Sequence, residues 1–256
     1  MSLSRGGGRR GRAIQLGSGH RRRWVWVGIG IAAAAVMGSA IYINVESRAG
    51  RLLRLREYWA DPAAHADWEI RAGDRCGEAP FVFPTDGYVG FVWGDSFRPG
   101  HAHQGLDIFG PTGPDGLGQT PVVAAYDGYL TRRADWRSAV ILRIPQDPFQ
   151  PGRQIWAYYT HMADAEGNSF VDSAFPPGTS EEFVRAGTLL GYQGNYSADP
   201  MSPTGMHLHF SIVRDDGEGR FLNELEIDNT LDPSPYLGIE VDARRRGEGP
   251  PVCKSF

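Results

Sequence analysis

A run of 22 uncharged residues, from Trp24 to Val45, divides this chain into two unequal parts. At about 1.5 Å per residue a helix of that length crosses the roughly 30 Å hydrocarbon core of a bilayer. Seven arginines (Arg5, Arg9, Arg10, Arg12, Arg21, Arg22 and Arg23) precede any acidic residue, and Glu46 opens the far side. The positive-inside rule then predicts a cytoplasmic tail at 1–23, a single transmembrane helix at 24–45 and everything later outside the cytoplasm. Trp24, Trp26 and Tyr42 would mark the two interfaces. The alternative is a signal peptide cut after Ala40, with Gly38 and Ala40 as the small residues. The run exceeds the usual apolar core of such peptides, about 7–15 residues, which favours the anchor. Both readings export the rest of the chain.

The tail carries +7 while the whole chain carries −4, so the remainder carries −11. That balance argues against nucleic acid as a partner of the exported part. Its two cysteines, Cys76 and Cys253, stand near the start and end of that part. In an oxidising compartment they would pair, closing a long loop worth up to roughly 5 kcal/mol in the chain-entropy treatment; the alternative is two unpaired thiols. Residues 46–75 carry Leu52, Leu53, Leu55, Tyr58 and Trp59 at helical spacing and read as a short juxtamembrane helix and linker.

From Phe81 the texture changes to short β-branched or aromatic runs broken by glycine and proline, of which the chain holds 34 and 18. That frequency of turns leaves little room for long helices. Strands are expected over 88–92, 121–125, 139–144, 155–159 and 207–213. The prediction is a mainly β domain at 76–240, an antiparallel sheet or sandwich, followed by a tail at 241–256.

Five of the seven histidines, His101, His103, His161, His207 and His209, fall in this domain. A strand sends alternate residues to one face. In His207-Leu208-His209-Phe210-Ser211-Ile212 the two imidazoles share one face, and Leu208, Phe210 and Ile212 share the other. His103 and Asp107 likewise agree in parity, opposite to Leu106 and Ile108. Imidazole and carboxylate are ordinary zinc donors, and three of them leave a fourth position for water. A His/Asp/His set would meet that need, leaving His161 and His207 for proton transfer and for steadying charge on an attacked carbonyl.

Three segments in order, His103-Gln104-Gly105-Leu106-Asp107, Tyr159-Thr160-His161 and His207-Leu208-His209, resemble the lysostaphin-type (LytM-like) zinc metalloendopeptidases. The connecting text at Gly100–Gly110, Thr120–Leu130 and Gly187–Asn195 is similar too, and the resemblance covers about 80–238. It implies a duplicated hybrid motif fold and one zinc ion per chain, held by His103, Asp107 and His209. It implies His207 as general base, and His161 as the group that orients water or stabilises the transition state. The implied substrate is a peptide bond of bacterial peptidoglycan, reached from the cytoplasmic membrane through the N-terminal helix.

This sequence departs from the family pattern in two places. Residues 196–206 lengthen the loop before His207 and could narrow or cover the cleft, and His101 forms a second His-x-His with His103. The distance to Asp107 favours His103 as the ligand. Tyr159 reads equally as core packing or as part of the site. Asp127 and the stretch 215–219 read as turns. Rival functions are a non-catalytic LytM-like module that binds the wall or activates its amidases, a related zinc carboxypeptidase or amidase, and a structural role in the envelope.

Overall fold

The computed structural model describes residues 26, 50–95, 100–239, 241 and 253. The arginine tail, the expected membrane span apart from Trp26, and most of the C-terminal tail lie outside these residues. Among the described residues no helix is long and apolar enough to cross a membrane. The chain divides into units 1–42 and 43–256, and every described residue except Trp26 belongs to the second.

That unit is mainly antiparallel β. Among the described residues ten strands form, β1 (Tyr88–Phe91), β2 (Leu106–Phe109), β3 (Pro121–Val123), β4 (Gly128–Thr131), β5 (Val140–Ile144), β6 (Ile155–Thr160), β7 (Glu182–Val184), β8 (Leu189–Tyr192), β9 (Leu208–Arg214) and β10 (Thr230–Leu231). The main sheet runs β1-β2-β9-β6-β5-β4-β7, with β10 also on β9, and β3 pairs separately with β8. The five strands expected from the sequence all form, within two residues at either end.

Alternation explains the layers. Leu208, Phe210 and Ile212 of β9, Ile155, Ala157 and Tyr159 of β6, and Val140, Leu142 and Ile144 of β5 all enter one core. Burying a side chain the size of Phe210 or Ile212 stabilises the fold by about 1.5–3 kcal/mol. The opposite parity does two jobs. Ile141, Trp156 and Val213 make a smaller apolar cluster on that face, and further along the same face lie Asp107 and His209.

Tyr159 belongs to the core reading. It is fully buried, and its hydroxyl oxygen accepts the Ala125 N–H at 2.9 Å. Asp127 is a turn residue, accepting the Ala186 N–H at 2.8 Å. In the turn at 215–219, Asp215 accepts the Gly217 N–H at 2.8 Å and bridges to Phe221.

Residues 50–60 are α-helical, hereafter α1. Its apolar side is not left to solvent. Leu55 and Tyr58 are buried with Tyr88 and Phe109 of β1 and β2, and Trp59 packs against them. The Trp59 indole N–H donates to the Gly110 carbonyl at 3.1 Å. Cys76 and Cys253 are joined by a disulfide, the pairing expected for an oxidising compartment, across a sequence separation of 177.

Candidate metal centre

The register of the sheet brings the predicted ligands together. Asp107 on β2 lies directly opposite His209 on β9, and Thr160 at the end of β6 lies opposite His209 from the other edge. Directly opposed residues in an antiparallel pair hold their Cβ atoms about 4.5–5.5 Å apart, so one row of the sheet carries Asp107, His209 and Thr160. His161 follows Thr160, and His207 precedes β9 in a bridge with Gly194. Strands alone therefore fix most of the site.

His103 enters from the loop between β1 and β2. Its backbone N–H donates to the Asp95 carbonyl at 2.7 Å, and its own carbonyl accepts the Gly94 N–H at 2.8 Å. Gly105 lets this loop close on β9: a Cβ there would stand 2.3 Å from the Phe210 carbonyl oxygen.

The three donor atoms form a small triangle. His103 Nε2 lies 3.0 Å from Asp107 Oδ1 and 3.1 Å from His209 Nδ1, and His209 Nδ1 lies 2.9 Å from Asp107 Oδ1. Tetrahedral zinc with bonds of about 2.0–2.1 Å spaces its donors roughly 3.3 Å apart, so the triangle is of the right size. The chemistry agrees. The Nδ1–H of His103 donates to the Val92 carbonyl at 3.0 Å, which turns the Nε2 lone pair toward the carboxylate. Acceptors facing one another this closely need a proton or a cation between them. His103, Asp107 and His209 fit a divalent ion, and the fixed tautomer of His103 is what ligand imidazoles ordinarily require.

The other two histidines are held in the same way. His207 gives its Nδ1–H to the Gly205 carbonyl at 2.6 Å, and His161 gives its Nδ1–H to the Tyr196 carbonyl at 2.6 Å. In each, that bond leaves Nε2 for a second partner. His207 Nε2 lies 3.4 Å from Asp107 Oδ1, and the rings of His161 and His207 are 4.5 Å apart. The Phe109 ring stacks on His207 at 5.1 Å, and Trp59 of α1 meets Phe109 edge-on at 5.5 Å.

His161 adopts φ 71°, in the left-handed region that costs a non-glycine residue roughly 1–2 kcal/mol. Backbone packing over-determines this conformation. The Asn195 N–H donates to the Ala163 carbonyl at 2.9 Å, and a Cβ on Gly194 would meet the His161 carbonyl oxygen at 2.4 Å. Only glycine at 194 lets the two backbones come so close.

Protonation follows from these contacts. Burial opposes ionisation of Asp107, but the His103 and His207 imidazoles outweigh it and hold the carboxyl well below the usual range. Burial also opposes the charged form of His103, but the Asp107 carboxylate overrides it and raises the pKa. Burial pulls His209 down against the opposing pull of Asp107. Burial, reinforced by His207 and His209, pulls His161 down to about 3, so its imidazole is neutral at any physiological pH.

The cluster lies in an open cleft of about 590 Å³. His101 lines this cleft without joining the donor triangle. The 196–206 loop forms a wall of it through Tyr196, Ser197, Ala198 and Thr204, while its tip, Met201, is 91% exposed. The loop is therefore part of the wall of the open cleft. Sequence reasoning missed Tyr158 and Glu224, which also line the cleft. The parity of β6 carried a signal for Tyr158, which shares a face with Thr160; nothing local marked Glu224.

No family model and no curated protein matches this chain. Among solved structures it is similar to a chain from Ruminococcus gnavus described as a glycyl-glycine endopeptidase lytM, at 24% identity and a TM-score of 0.35. That match covers 52% of this chain and 45% of the other, so the chain spans under half of that neighbour's length. It is also similar to a variant of the catalytic domain of the prophage-encoded protein EnpA from Enterococcus faecalis, at 22% identity and a TM-score of 0.30. There the match covers 59% of this chain and 93% of the other.

Proposed function

We propose that this chain is a zinc-dependent endopeptidase that hydrolyses peptide bonds in bacterial peptidoglycan. The observation that carries the reading is the convergence of His103 Nε2, Asp107 Oδ1 and His209 Nδ1 within 2.9–3.1 Å at an open cleft. A zinc ion bound by these residues would supply Lewis acidity for a carbonyl and make water a stronger acid. Three protein donors leave a coordination position for a reactant.

The chain's own residues account for the remaining requirements. His207, its Nδ1–H engaged by Gly205, keeps Nε2 as the general base that takes a proton from the attacking water and returns it to the leaving amine. His161, kept neutral by burial, orients that water through its free Nε2. Asp107, held ionised, contributes the negative charge of the ligand set. The wall-peptide substrate rests on the sequence resemblance to lysostaphin-type enzymes. A location outside the cytoplasm, anchored through 24–45, is supported by the arginine tail and by the Cys76–Cys253 disulfide, since disulfides persist in oxidising compartments.

The test is mass spectrometry of fragments released from purified wall material by the full chain in detergent, with and without chelator. New amine ends inside a stem or cross-bridge are expected, and chelator should abolish them. Asp107→Ala and His209→Ala should lose zinc and rate together, whereas His207→Ala should keep zinc and lose the rate. Full activity in His207→Ala would remove it from the role of base, and a parent chain that binds zinc but releases nothing would sink the peptidase reading.

A further inference from the structure

We propose that Arg51 of α1 is a positioning residue for the metal ligand His103, acting through Asp95. This inference rests on the zinc reading above and extends it to a residue that touches neither metal nor substrate. Arg51 is followed 44 residues later by its partner: its guanidinium is hydrogen-bonded and ion-paired to the Asp95 carboxylate. Both side chains are buried, Arg51 at 7% and Asp95 at 0% exposure. Charge buried to that degree is costly unless paired, and removing one partner strands the other.

Asp95 is also the hub of the turn that carries His103. Its second carboxylate oxygen accepts the Val92 N–H at 3.0 Å, and its backbone carbonyl accepts the His103 N–H at 2.7 Å. The Val92 carbonyl in turn takes the His103 Nδ1–H at 3.0 Å, the bond that fixes which nitrogen faces the metal. Each link from Arg51 to the imidazole is thus a hydrogen bond to the next, so a shift of the 92–95 turn is passed to the ring. Loss of the Arg51 charge leaves a fully buried carboxylate whose remaining hydrogen-bond donor among the described residues is the Val92 N–H, so the turn must rearrange to reach water or a proton. Partners that orient a ligand imidazole are commonly worth about 10–100-fold in metal affinity.

The test uses the full chain in detergent and measures zinc affinity by competition with a chromophoric chelator, alongside thermal unfolding of the metal-free protein. Arg51→Met should weaken zinc binding about 10–100-fold. Arg51→Lys should restore part of it, because lysine supplies the charge without the forked geometry. Arg51→Met combined with Asp95→Asn should recover affinity further, since the amide oxygen can still accept the Val92 N–H and needs no counter-charge. Leu237→Ala, in the core and outside the hydrogen-bond chain from Arg51 to His103, should lower the Tm and leave zinc affinity as in the parent.

Parent-like zinc affinity in Arg51→Met, with only a lowered Tm, would reduce Arg51 to a structural role and overturn the inference. If Arg51→Met does not fold, Arg51→Lys decides: affinity several-fold weaker supports the inference, and parent-like affinity overturns it. A parent chain that takes up no zinc overturns the proposed function and this inference together, whereas zinc binding by the parent with no effect at Arg51 overturns the inference alone.

Discussion

Gly105→Ala tests the geometry next to the site directly, because it adds one methyl where two backbones meet. The added Cβ would lie 2.3 Å from the Phe210 carbonyl oxygen and 2.9 Å from its carbon, both main-chain atoms of β9 that cannot rotate away. Even a favourable carbon–oxygen contact needs about 3.3 Å, so the start of β2 and the middle of β9 must separate by roughly 1 Å. Overpacking of this kind costs about 1–3 kcal/mol. For a domain of roughly 150–250 residues that lowers the Tm by about 2–12 °C. The same displacement falls two residues from Asp107, whose Oδ1 is 2.9 Å from His209 Nδ1 across the same strand pair. The donor triangle should open, and zinc affinity should drop along with the Tm. Thermal unfolding by circular dichroism, with zinc titration on the same samples at a temperature where both proteins are folded, reads both effects. A variant with the parent's Tm and zinc affinity would show that β2 and β9 are not in the contact described, and the site built on their register would fall with it.

Three further outcomes follow from the same structure. Tyr159→Phe removes the acceptor of the buried Ala125 N–H and should destabilise by about 1–3 kcal/mol in urea unfolding while leaving zinc binding untouched; loss of metal or rate at full stability would return Tyr159 to the site. Reduction of the Cys76–Cys253 disulfide, or Cys76→Ser with Cys253→Ser, should lower stability by up to roughly 5 kcal/mol, and an unchanged unfolding midpoint would refute the bond's contribution. The third concerns pH. The folded-state pKa of His161, about 3, lies below the ordinary histidine value of 6.5, so the unfolded chain takes up the proton first. His161 therefore destabilises the metal-free fold progressively as pH drops from about 6.5 toward 3, and not above 6.5. Urea midpoints at pH 7.5 and 5 should differ less in His161→Gln than in the parent, and equal differences would contradict the burial argument.

The strands that carry the site were legible because their chemistry and their packing fall on opposite parities. Leu208, Phe210 and Ile212 declare the core face of β9, and His209 then has only one other face to occupy. The same reasoning applied to Ile155, Ala157 and Tyr159 would have resolved Tyr159 as core. Cross-strand register was not legible from parity: the resemblance alone placed Asp107 with His209, and the pairing that does so is set by the whole sheet. The short strands β7 and β10, of three and two residues, are too brief to show a period. The apolar side of α1 was visible in Leu55, Tyr58 and Trp59, but an amphipathic helix beside an apolar run gives no sign of what it packs on, and the partner proved to be β1 and β2. Arg51 and Asp95, ordinary charges 44 residues apart, carried no local mark of their pairing.

Strand β9 bears His209, follows directly on His207, and is hydrogen-bonded along both edges, to β6 on one side and to β2 and β10 on the other. Segments so enclosed open only in global unfolding, so the amide protons of Phe210 and Ile212 should be among the slowest to exchange with solvent. The wall at 196–206 is a surface loop, the kind of segment that tolerates insertion and replacement. Durability and adaptability are thus assigned to different stretches of one continuous segment. On the proposed function, replacing the loop should alter substrate preference while the floor that carries His207 and His209 keeps its shape.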